Sequence, residues 1–122
     1  MCEKEGLLKM VVFEGSIHID TLGNLEIKLY KRLLYHIQKY KKITNSTTIE
    51  IEFDYPLEQP ITLEFIKDGG FRLKDIISSV RSGYRKIYKV YPDSIACHAI
   101  GDLVLVKISE WGVDSFTIDV DS

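Results

Sequence analysis

The chain has few of the residues that staple or anchor a protein. Only two of its 122 residues are cysteine, Cys2 and Cys97, which leaves no disulfide framework and no paired-cysteine metal spacing. Reduced thiols are the expectation. No stretch stays apolar for the length of a membrane span. The apolar run that follows Met1 is broken by Lys9 and Glu14, so it does not read as a secretion signal. An intracellular, cytoplasmic protein is expected, and Asn45-Ser46-Thr47 then reads as a loop between two elements and not as a glycosylation site. A dominant charge is missing as well. Sixteen lysines and arginines face eighteen acids, a net charge of -2, which excludes bulk attraction to nucleic acid or membrane. Any such attraction has to come from charges sorted by position.

Hydrophobic residues at 45% and charged residues at 28% are the balance of a globular domain. No repeat, low-complexity tract or long polar linker divides the chain, so residues 1–122 read as a single α+β domain. Leu7 to Phe13 and then Ile17-His18-Ile19 read as one strand with a bend or bulge at Gly15. From Leu25 to Ile43 the spacing is helical: Leu25, Leu29, Leu33, Ile37 and Tyr40 share a face, with Asn24 as a cap. A strand is the competing reading there, since Leu25, Ile27 and Leu29 also alternate, but at about 100° per residue Lys28, Lys31, Arg32, Lys39 and Lys42 all fall opposite the apolar face.

Thr48 to Asp54 alternates, with Ile49, Ile51 and Phe53 on one side and Glu50, Glu52 and Asp54 on the other. Ile61, Leu63 and Phe65 repeat the pattern after a turn over residues 55–60, which predicts a hairpin. Leu73, Ile76, Ile77, Val80, Tyr84, Ile87, Tyr88 and Tyr91 form the best helical period, ended by Pro92. Asp102 to Ser109 is apolar on both faces and reads as an interior strand, while Phe116, Ile118 and Val120 alternate with polar residues in a final half-exposed strand. This order predicts a ferredoxin-like fold, βαββαβ plus a terminal strand, with two helices on one face of an antiparallel sheet. The alternative is a β-grasp built from residues 48–121 with an added N-terminal helix.

The candidate chemical sites are weak. Cys97-His98 pairs a nucleophile with a base, but neighbouring side chains on a strand point apart and no third residue orients the imidazole. His18 and His36 give no metal-ligand spacing with Cys97. Asp93, Asp102 and Lys107 superficially follow a metal-dependent nuclease pattern, yet Leu105 stands where that pattern requires an acid. Asp68-Gly69-Gly70 before a helix lacks the spaced glycines and Lys-Ser/Thr of a phosphate loop. No cofactor or metal is expected.

Charge sorting is the stronger signal. Glu50, Glu52, Asp54, Glu64, Asp119 and Asp121 are expected on the open sheet face, with the first and last groups near opposite edges. Lys74, Arg81, Arg85 and Lys89 add to the basic stripe of the first helix, where Tyr35 and His36 flank Lys28, Lys31, Arg32, Lys39 and Lys42. Glu64 on the exposed sheet argues against an RNA-recognition module, which stacks bases on aromatics there. A non-catalytic interaction protein is therefore expected, binding a protein partner or itself. Nucleic-acid binding through the basic helical face is the first alternative, and an enzyme with an unrecognised site the second.

Overall fold

The structure is a computed structural model that describes residues 9–19, 40–95 and 99–122. Its strands are β1 (Lys9–His18), β2 (Lys42–Thr44), β3 (Thr48–Phe53), β4 (Ile61–Ile66), β5 (Phe71–Arg72), β6 (Val104–Trp111) and β7 (Ser115–Asp121). One α-helix, α1 (Leu73–Val90), lies among the described residues. The main sheet has the order β1-β6-β7-β3-β4, and β2 and β5 pair separately.

The helix forms where the apolar period is strongest. Leu73, Ile76, Ile77, Val80, Tyr84 and Ile87 are all buried along one side. Its first turn is fixed by the Asp75 carboxylate, which accepts the Arg72 backbone N–H at 2.9 Å and places an acid at the positive end of the helix dipole. At the far end Tyr91 N–H still donates to Ile87 C=O at 2.8 Å, and Pro92 prevents a further turn.

The helix packs on the inward side chains of the sheet: Ile49, Ile51 and Phe53 from β3, Phe116 and Ile118 from β7, Leu105 and Ile108 from β6, and Phe13 and Ile17 from β1. Phe53 and Tyr84 meet edge to face, with ring centroids 5.0 Å apart. The Tyr84 hydroxyl donates to Tyr55 C=O and ties the β3–β4 loop to the helix. Burial pushes its ionisation far above the usual phenol range, helped by Tyr88, Asp54 and Tyr55, so it stays a donor. At Gly83 the helix lies hard against the sheet, since a Cβ there would overlap the Phe53 ring. Gly70 (φ +90°) is equally confined, because a Cβ would run into Thr44 C=O.

This architecture overturns the ferredoxin-like expectation. The sheet is mixed, with β3 and β7 parallel along Glu50–Ser115, Ile51–Phe116 and Glu52–Thr117. The described residues do not place two helices on one face. The β-grasp alternative, confined to residues 48–121, fails on the membership of the sheet. β6 takes a partner on each side, β7 on one and β1 on the other, as its interior position requires. Lys9–His18 is thus an integral fifth strand, and the bulge expected at Gly15 is present as a register shift between Glu14 and Ile17.

The helix expected over Leu25 to Ile43 lies mostly outside the described residues. Its last residues are not helical: Lys42 and Ile43 belong to β2, which pairs with β5. The final strand is not peripheral either, since β7 sits between β6 and β3.

Candidate functional site

Alternation turns the other set of side chains to the face of the sheet opposite α1, and the strand order decides which of them meet. Three rows run across this outer face. Lys9, Trp111, Ser115, Glu50 and Glu64 are successive neighbours in the first. Val11, Ser109, Thr117, Glu52 and Thr62 form the second, and Glu14, Lys107 and Asp119 the third. The face is therefore divided. Its β3–β4 half carries Glu50, Glu52 and Glu64 with no lysine or arginine among them, while Lys9 and Lys107 stand on the β1–β6 half.

The expectation that the first and last acids lie near opposite edges is corrected by the parallel β3–β7 pair, which puts Asp119 one strand from Glu50 and Glu52. Asp119 faces Lys107 directly, so it belongs to a mixed row and not to the acidic half. Asp54 is exposed just beyond β3, and Asp121 is exposed opposite Val104. Among the described residues no group of three or more histidines, cysteines, aspartates or glutamates has the geometry to hold a metal ion.

Glu50 and Glu64 are directly opposed across β3 and β4. Like charges in that relation destabilise a sheet. Next to them Ile66 is 73% exposed at the end of β4. Sequence reasoning passed over Ile66, although an isoleucine in the polar phase of Thr62-Glu64-Ile66 was a visible signal. It also passed over Trp111, whose Nε1 donates to Thr117 Oγ1 at 2.7 Å while Lys9 Nζ lies 5.5 Å from the ring centroid.

The basic helical face is only partly within view. Lys28, Lys31, Arg32, Tyr35 and Lys39 lie outside the described residues, as do Cys97 and His98. Lys42 is not on a helix, since it belongs to β2, and its Nζ donates to Gly69 C=O. Lys74 stands 5.9 Å from the Tyr40 ring and 3.5 Å from Asp75. Arg81 Nη2 donates to His18 C=O at 3.4 Å, which ties α1 to the end of β1. Arg85 and Lys89 are exposed one turn apart on the same flank of α1. The Asp68-Gly69-Gly70 segment is the turn into β5, with both glycines at positive φ.

Between the β4 edge and α1 lies an open groove of about 260 Å³, lined by Phe65, Lys67, Phe71, Asp75, Ser78 and Ser82. No helix among the described residues is long and apolar enough to cross a membrane. No protein-family model, curated protein or solved structure matches the chain.

Proposed function

We propose that this chain is a non-catalytic interaction protein of the cell interior, which docks a macromolecular partner on the β3–β4 half of its outer face. The observation that carries the reading is the opposition of Glu50 and Glu64, with Glu52 one row away. Folding alone gains nothing from this pair, and a partner that supplies cations would turn its repulsion into attraction. Charge at such a site mainly sets the choice of partner and the rate of encounter, so apolar anchors such as Ile66 supply affinity.

The test is retention of the full chain on immobilised polylysine across a salt gradient. The parent is retained at low salt and released as salt rises, and Glu50→Lys with Glu52→Lys elutes early. Equal elution of parent and variant would sink the reading. Nucleic-acid binding through α1 is the second reading, favoured by the adjacent exposed Arg85 and Lys89. It requires salt-sensitive DNA binding that Arg85→Glu with Lys89→Glu abolishes.

A further inference from the structure

The two edges of the main sheet are built differently. β1 forms one edge, and its pairing with β6 is interrupted twice, between Val11 and Phe13 and between Glu14 and Ile17. Such shifts break the outward row of backbone groups and blunt an edge against further pairing. β4 forms the other edge, and its six residues pair with β3 in unbroken register. It holds no proline, lysine or bulge.

The hydrogen-bond phase of β4 follows from one contact. Lys67 donates its N–H to Thr47 C=O at 2.8 Å, one step beyond the Thr48–Ile66 pair. Hydrogen-bonded and non-bonded pairs alternate in an antiparallel ladder. Phe65, Leu63 and Ile61 therefore exchange bonds with β3, while Thr62, Glu64 and Ile66 turn their N–H and C=O to the edge. No strand among the described residues pairs with that edge. The side chains of Thr62, Glu64 and Ile66 are exposed on the outer face.

We infer that β4 accepts an extended segment of a partner protein as a sixth strand, and that the side chains of this segment alternate basic and apolar. The inference rests on the acidic-face reading above and names its partner class. An added strand presents every second side chain to each face of the sheet. On the outer face it would lie beside Glu64, with Glu50 in the same row, which calls for lysine or arginine. On the other face it would lie over the groove floored by Phe65 and Phe71, which calls for a compact apolar side chain. A second copy fits worse, because antiparallel pairing of two β4 strands gathers Glu64 and Glu50 of both copies on one face.

The test uses the full chain with a synthetic peptide of the length of β4 that alternates lysine and valine. Its control has the same composition with the lysines in one block. Amide exchange followed by NMR is expected to slow at Thr62, Glu64 and Ile66 with the alternating peptide and to stay unchanged with the control. Thr62→Pro deletes an outward N–H while keeping every acid and every β3–β4 bond, and it is expected to weaken binding by about tenfold or more. Should Thr62→Pro fail to fold, Glu64→Lys carries the test with a loss of similar size. Peptide affinity unchanged by these variants overturns the inference, as does protection at β1 amides instead. Protection at β4 that appears without peptide as protein concentration rises would identify a second copy and overturn it too. Thr62→Pro retained normally on polylysine but unchanged in peptide affinity would reject the edge alone. Failure of Glu50→Lys with Glu52→Lys to alter polylysine elution would reject the acidic-face reading, while β4 protection stands or falls by itself.

Discussion

The two faces of the main sheet are made by the same strands and obey different rules. Toward α1, β3 and β7 place Ile49, Ile51, Phe53, Phe116 and Ile118, all buried, and every residue there is answerable to a neighbour's shape. Away from it, the same strands place Glu50, Glu52 and Asp119, whose identity packing hardly constrains. On the covered face composition reports stability. On the outer face an arrangement that folding disfavours, such as Glu50 against Glu64, reports something else.

The covered face should break first. Ile77 is 2% exposed on the buried side of α1, and Ile77→Asp is expected to unfold the domain at room temperature, with a loss of about 4 kcal/mol or more for an unpaired buried charge. Circular dichroism melts check this, and a folded Ile77→Asp would mean that α1 does not pack as described. Gly83→Ala is the subtler assault. Alanine should gain about 1 kcal/mol in helix propensity, but its methyl would lie 2.8 Å from Phe53 Cε2 and closer still to the ring tip. The ring cannot swing away freely, since it is wholly buried between Tyr84 and Phe65. Overpacking should win, for a net loss of about 2 kcal/mol in urea melts.

This division also explains what could be read from the residues alone. Face assignment was legible where an element repeats its period several times. The alternation from Thr48 to Phe53 and the spacing from Leu73 to Ile87 each identified the buried side, because burial acts on every residue of the run. Neighbour assignment was not legible. Alternation in Phe116, Ile118 and Val120 says which side faces the core, and it is the same whether the strand is central or at an edge. The parallel β3–β7 pair is set by packing across the whole sheet, so the meeting of Asp119 with Lys107 and the division of the outer face stayed hidden. Short elements escaped for a different reason. Lys42 and Ile43 fit a helical wheel as well as a strand, and only the pairing with β5 decides between them.

On the outer face the expected effects are smaller and have the opposite sign. Glu64→Gln removes the charge opposite Glu50 and keeps the size of the side chain, at a non-hydrogen-bonded pair where side chains come closest. It should stabilise the domain by about 0.5 kcal/mol at low ionic strength. The gain should shrink as salt is added, because both carboxylates are exposed or nearly so. Denaturant melts at two salt concentrations measure it. Destabilisation at both would show that Glu64 holds a contact in the free protein, and would weaken the case that the pair awaits a partner.

The smallest effect belongs to an acid that sits between the two regimes. Glu110 lies on the covered side of β6, opposite Phe116 and Met10, at the margin of the core and not within it. Burial pushes its carboxyl above the usual carboxylate range, and the charge of Asp114 pushes the same way, while the Asp114 N–H donated at 3.3 Å pulls it back. Between the ordinary glutamate value and the raised one, the folded chain holds more proton than the unfolded chain. Stability from this group is therefore fully present below the unfolded value, and it is lost as pH rises through the folded one. Glutamine keeps an acceptor for the Asp114 N–H and cannot ionise. Glu110→Gln should therefore melt slightly higher than the parent at neutral pH, and the gap should close as pH falls below about 4. Paired thermal melts across that range decide it. A glutamine variant that is the less stable at neutral pH would mean that the bond to Asp114 outweighs burial, and Glu110 would then obey the rules of the outer face although it stands on the covered one.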